Sequence, residues 1–402
     1  MKELNSMFEK HVEAGLYPGV EWKITFNEEI YHGTTGYMNI DTQESLQDNS
    51  IYRIWSMTKP IIAIAMMQLV EEKLIKLDDP INNFIPEFSN LKVLKNPTSS
   101  INELIDLKNM PTIKDLFMHT AGFSYNFLAD PVGKAYDLIK LFTSSNTTLE
   151  EEINLLSKIP LLFQPSTNWR YSVSMDVMGR IIEIVTKKKL QSILQEKIFN
   201  QIGMNETGFF VPEDKIKRIM NSYEFNPNDK KLINYVMDSQ KIGNYAYPYN
   251  KEKTYARGGH GLFSTTFDYS LFAQMLLTGK TTAGKVILKP STIKEMTKNH
   301  LNSSFFPLEI LSVGTIKNED YVNDLDPYGW GLGFRVLIDL NKANNIGSHG
   351  EFGWAGAAST YFLVDPKKDL TAVLMTQVLN GDPVIKNDFV KTIYNNLDLV
   401  FE

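Results

Sequence analysis

The chain has 402 residues, 43% of them hydrophobic and 22% charged, an ordinary balance for a soluble globular protein with room for two packed regions. Its net charge of −6 comes from interspersed acids and bases with no basic stripe, which argues against a nucleic-acid partner. There is no cysteine, so disulfides, thiolate metal sites and a cysteine nucleophile are excluded.

Residues 9–15 read as the end of an N-terminal helix. Lys2, Glu3, Glu9, Lys10 and Glu13 leave no apolar signal-peptide core there. The longest apolar run, residues 61–70, is about half of what a membrane span needs. The expectation is therefore a cytoplasmic protein with no membrane span. Residues 20–26 and 29–37 alternate as a β-hairpin turning at Asn27-Glu28. Residues 51–54 make a short extended approach to Ser56, and residues 60–74 are apolar nearly all round until Glu71, the pattern of a buried helix. The middle of the chain reads as mainly helical. Residues 113–118 stop at His119-Thr-Ala-Gly122, amphipathic stretches cover 175–186 and 190–198, and 267–277 is another clear helix opened by Ser264-Thr265-Thr266. Strands return at 331–338, 359–364 and 370–377, the last two joined by a turn from Asp365-Pro366 to Asp369, and a helix over 384–397 closes the chain. This order predicts an α/β (α+β) fold. An antiparallel sheet from both termini (1–58 and 275–402) is flanked by helices, and a mostly helical region covers 59–274.

Ser56-Met-Thr-Lys59 is an S-x-x-K motif, weak evidence alone because Ser89-Asn-Leu-Lys92 and Ser291-Thr-Ile-Lys294 match it too. Ser291 opens a polar helix after Pro290, where capping explains it, and Ser89 lies in a polar loop. Only Ser56 stands where an extended segment runs into a buried helix. Free N–H groups and the helix dipole there favour a developing alkoxide. Lys59, three residues on, shares the helix face with Ser56. Burial would lower its pKa and make it a plausible proton acceptor. Locally, a capping serine with a snorkelling lysine explains the motif equally well.

More distant residues break the tie. Tyr171-Ser172 precedes an amphipathic helix carrying Asp176 and Gly179. With Ser56-x-x-Lys59, His119-Thr-Ala-Gly122, Gly258-Gly-His-Gly261 through Asp268-Tyr269, and Tyr361 through Asp365-Pro366, it forms an ordered series. That series resembles the serine β-lactamase-like superfamily, on the branch of class C β-lactamases and family VIII carboxylesterases. The resemblance runs from about Gly19 to Gln377 and implies a β-lactamase/transpeptidase-like fold, with the active site expected in the cleft between the sheet region and the helical region. It also implies that Tyr171 completes the base system with Lys59 as a phenolate stabilised by the ammonium, and that the backbone N–H groups of Ser56 and Ala357 form the oxyanion hole.

Two departures bear on the substrate. Tyr171-Ser172-Val173 replaces the Tyr-x-Asn of many relatives. Trp354-Ala355-Gly356, counted back from Asp365-Pro366, stands where a Lys or His normally opens the third motif. Losing that cation should penalise anionic substrates and favour neutral esters. His349, in a loop flanking the site, and Arg257 are the alternative cations. No H-E-x-x-H or G-x-S-x-G is present, the six histidines are dispersed, and the Gly279 to Lys285 segment lacks the Ser/Thr of a phosphate loop because Val286 follows. No metal or organic cofactor is implied. The expected activity is a serine hydrolase acting through an acyl-enzyme, a carboxylesterase taking neutral, short to medium esters. A β-lactamase or D-amino-acid peptidase/amidase, and a catalytically idle binding protein on the same fold, are the alternatives.

Overall fold

The structure is a computed structural model that describes residues 2–142, 147–226, 229, 231–235, 256–312, 323–381 and 384–397. Strand β1 (Gly19–Phe26) turns into β2 (Glu29–Asn39) through Asn27 and Glu28, whose φ angles are 48° and 69°. Two successive left-handed residues make the hairpin turn whose twist matches antiparallel strands. Val20, Trp22, Ile24 and Phe26 alternate into one apolar cluster. The remaining strands of this sheet are β3 (Glu44–Ser45), β4 (Tyr328–Trp330), β5 (Arg335–Leu337), β6 (Phe352–Ala355), β7 (Tyr361–Asp365) and β8 (Leu370–Met375).

Their spatial order is β4-β5-β6-β7-β8-β1-β2-β3, antiparallel throughout, with β8 beside β1 so that Leu374 faces Trp22. The two ends of the chain thus build one sheet. Helices Lys2–Glu13 and Val384–Asn396 cover one face, with the Phe8 and Phe389 rings 5.8 Å apart. Helix Thr266–Thr278 covers the other, where Tyr269 meets Phe362 at 5.0 Å. Beyond it, helix Thr58–Glu71 is buried from Thr58 to Leu69 and packs against helix Ser174–Thr186. Its apolar surface has no wet side because both flanks are protein.

Several elements differ from the sequence reading. Residues 331–338 are not one strand: β4 and β5 form a hairpin around Gly333, at φ 95°. A Cβ on Gly333 would lie 2.5 Å from Ala63 of the buried helix, so the turn must be glycine to sit there. Strand β6 gave no alternation signal because Phe352, Gly353 and Trp354 are all buried. The central region contains short antiparallel hairpins, Lys92–Leu94 with Leu104–Asp106 and Tyr223–Asn226 with Lys231–Asn234. The expected region limits at 58/59 and 274/275 both fall inside helices, and the second of those helices packs on the sheet. Among the described residues no helix is long and apolar enough to cross a membrane.

Because the Phe8–Phe389 contact joins the two termini, Phe8→Ala and Phe389→Ala should each destabilise by about 3–5 kcal/mol in urea unfolding. The double variant should fall short of their sum, as expected for rings in contact. Additivity within about 0.5 kcal/mol would show that the rings act independently.

Candidate active site

Ser56 is the middle residue of a single 3₁₀ turn, Trp55–Met57, that leads directly into helix Thr58–Glu71. Trp55 adopts φ 46°, a left-handed conformation that a bulky residue takes only under constraint. Three ties impose it. Ile54 N–H donates to Leu262 O at 3.1 Å, Leu262 N–H donates to Thr58 Oγ1 at 3.3 Å, and Tyr269 Oη donates to Met57 O at 2.8 Å. The serine therefore stands just outside the helix, not at its first residue, and remains partly exposed.

Lys59 is 2% exposed. Its Nζ lies 3.0 Å from Ser56 Oγ and donates to Gly259 O at 2.6 Å. That carbonyl can approach because Gly258 and Gly259 have no side chains. A Cβ on Gly258 would fall 1.7 Å from Met175 O, and one on Gly259 would fall 2.4 Å from Tyr125 Oη and 2.5 Å from Asp176 Oδ2. Gly259 N–H donates to Asp176 Oδ1 at 3.0 Å, so one residue joins lysine and carboxylate through its two backbone groups. Tyr125 Oη and Asp176 Oδ2 have no hydrogen-bond partner among the described residues.

The electrostatics follow from dryness. Burial lowers the Lys59 pKa to about 7, with the Asp176 charge pulling upward. Burial also raises Asp176, against the Gly259 N–H and the charges of Lys59 and Arg257. Tyr171 is pushed well above the usual phenol range by burial, although hydrogen bonds with Ser56 and Trp354 act against that shift. Burial thus works against the charged form of both partners, the ammonium of Lys59 and the phenolate of Tyr171. Trp354 Nε1–H donates to Tyr171 Oη at 3.3 Å, and Lys59 Nζ lies 4.7 Å from the centre of the Tyr171 ring. His119 caps helix Ile113–Met118 in the left-handed region, and burial then the Lys59 charge hold it neutral against the Tyr171 ring.

A cleft of about 860 Å³ opens over this cluster. Ser56, Tyr171, Trp354, Ala355, Gly356 and Ala357 line it together. Gly356 is held against the nucleophile turn: its Cβ would lie 2.5 Å from Ile54 O. Neither alternative cation reaches the cleft. Arg257 is fully buried in an ion pair with Glu152 at 3.3 Å, and His349 lines a separate cavity. The sequence reading missed Tyr125, the Gly259 carbonyl, and two cations on the wall, Arg335 and Lys386. Those cations already face acids: Arg335 lies 3.8 Å from Glu351 and bonds Tyr361 Oη, and Lys386 lies 2.7 Å from Asp324. Tyr125 follows His119-Thr-Ala-Gly122 by three residues, the one sequence cue that could have found it; a carbonyl has none. Among the described residues no group of His, Asp and Glu is placed to hold a metal ion.

The fold and this cluster define a β-lactamase/transpeptidase-like serine hydrolase. The chain belongs to the Beta-lactamase family, whose model matches residues 4–393. It is 29% identical over 370 residues to protein Rv1367c of Mycobacterium tuberculosis, covering 91% of this chain and 87% of that one. It is 28% identical over 378 residues to the lovastatin esterase of Penicillium rubens, covering 92% and 90%. Among solved structures it resembles EstCE1, a hydrolase with promiscuous acyltransferase activity, with a TM-score of 0.80, 20% identity and 98% of both chains covered.

Gly259→Ala should displace the carbonyl that holds Lys59. Misplacement on the ångström scale costs about 10²-fold in rate, so kcat/KM on an activated ester should fall by about that factor while circular dichroism stays unchanged. Retention of full activity would show that the Gly259 contact does not position the lysine.

Proposed function

We propose that the protein is a carboxylesterase that hydrolyses neutral, short to medium esters through an acyl-enzyme on Ser56. The observation that carries this reading is the Lys59 amine, buried, lowered to about 7 and 3.0 Å from Ser56 Oγ. A base of that pKa combines a large neutral fraction with useful proton affinity near pH 7. Lys59 takes the Ser56 proton as Oγ attacks the ester carbonyl. The oxyanion lies toward the backbone N–H groups of Ser56 and Ala357. Collapse expels the alkoxide, which receives a proton through Tyr171 from Lys59. Water then repeats the attack on the acyl-enzyme and frees the carboxylic acid and Ser56.

Trp354 supports the substrate class. Its indole occupies the strand position beside Tyr171, and its only polar atom, Nε1–H, is spent on the Tyr171 hydroxyl. Trp55, Tyr125, Phe127 and Ile310 supply apolar wall around an acyl group. With Arg335 and Lys386 facing acids and Val173 in place of an amide, little in the cleft favours a carboxylate-bearing β-lactam.

Intact mass spectrometry after fluorophosphonate treatment should show one adduct on the wild type and none on Ser56→Ala, with p-nitrophenyl ester turnover lost in parallel. An adduct that persists in Ser56→Ala would move the nucleophile elsewhere. The pH profile of kcat/KM should rise through about pH 7, because the lowered Lys59 must lose its proton to act. A flat profile from pH 5 to pH 9, about two units either side, would remove Lys59 as the base. Trp354→Lys should shift preference toward anionic substrates such as a chromogenic cephalosporin, relative to the esters. An unchanged ratio would mean that position 354 does not select on charge.

A further inference from the structure

A second cavity, of about 720 Å³, shares no lining residue with the cleft at Ser56. It lies where the C-terminal end of helix Thr266–Thr278 and helix Pro290–Met296 meet strands β5 and β6. Its size falls within the range of about 300–1,000 Å³ that small-molecule sites occupy. The floor is apolar: Leu276, Ile293, Val336 and Phe352 are buried, with Leu277 and Ile338 half-buried beside them.

The rim has one sign of charge. Lys294, Lys298 and Lys367 stand on it with the His349 imidazole, and no lining residue is acidic, in a chain whose net charge is −6. Lys298 pairs with Glu295 at 2.6 Å, just outside the lining; Lys294 and Lys367 form no ion pair among the described residues. The neutral polar groups nearby are satisfied internally. Thr297 Oγ1 donates to Ile293 O, and the Asn299 side chain bonds both to Leu301 and to the Trp330 N–H. Polar recognition of a guest therefore falls to the lysines, and everything beneath them recognises hydrocarbon.

The turn that nearly matches a phosphate loop borders this cavity only through Gly279, which packs the helix end against Pro290. Its lysines are elsewhere: Lys285 bonds Gln201, and neither Lys280 nor Lys285 lines the wall. A bare phosphate would leave the apolar floor uncovered. A neutral lipid would leave the lysines unanswered.

We propose that this cavity is a binding site for a long-chain carboxylate, its tail laid over Val336 and Phe352 and its head group at Lys294 and Lys367. The site is independent of the ester-hydrolase reading, since it uses none of the residues around Ser56.

Photolabelling of the full chain with a diazirine-bearing hexadecanoate, followed by peptide mapping, tests it. Adducts should fall on peptides spanning residues 276–299 or 336–352. They should be displaced by unlabelled hexadecanoate and not by hexadecan-1-ol. Lys294→Glu combined with Lys367→Glu, both at exposed positions, should weaken labelling by about tenfold or more, as loss of charge-assisted contacts predicts. Ester hydrolysis by the same variant should be unchanged. Adducts confined to the cleft around Tyr125 and Tyr171, no saturable labelling, equal competition by the alcohol, or labelling untouched by the charge reversal would each overturn the proposal. Loss of ester hydrolysis by Ser56→Ala leaves these outcomes unaffected, so the two readings fail separately.

Discussion

Lys59 Nζ stands between Ser56 Oγ at 3.0 Å and the Gly259 carbonyl at 2.6 Å, in a place too dry to favour its charge. Much of the surrounding structure exists to make that placement possible. The ammonium form is penalised by burial, so proton affinity falls to the range where a lysine can act as a base. Asp176 limits the fall, and it is held by the Gly259 N–H on the other side of the same residue. Removing either glycine hydrogen at 258 or 259 would drive the segment off helix Ser174–Thr186.

The nucleophile turn is fixed by its neighbours more than by its own sequence. Trp55 is left-handed, with no side-chain cap at the start of helix Thr58–Glu71. The hydrogen bonds from Leu262 and Tyr269 hold the turn from one side, and Gly356 presses on Ile54 from the other. The central region and the sheet therefore both grip Ser56. Strain of this kind persists where surrounding contacts over-determine it.

On the substrate side, Trp354 reaches Tyr171 because β6 lies between β5 and β7 and presents alternate residues to one face. Phe352 shares that face and floors the second cavity, so one strand serves two separate concave sites. The indole contributes one directed N–H and a broad apolar surface where a lysine would contribute a mobile charge.

Much of the site was legible in the sequence because a local motif, Ser56 to Lys59, stood in an ordered series of family motifs. The interval from Ser56 to Lys59 is local, so the pair could be recognised as a motif, although contacts from Leu262, Tyr269 and Gly356 fix the turn that presents the serine. The buried helix was legible from unbroken apolarity, and the first hairpin from alternation around Asn27-Glu28. Strand β6, the Gly333 turn, Tyr125 and the pairing of Arg335 and Lys386 with acids were not. Each depends on residues far apart in the chain, and a strand buried on both faces carries no periodic mark. The sequence by itself determined the chemistry on offer: a serine, a lysine and a tyrosine in a family order, with tryptophan where a cation was expected. Only the tertiary structure decided the state of that chemistry, because burial and a carbonyl two hundred residues away set the lysine's proton affinity and position.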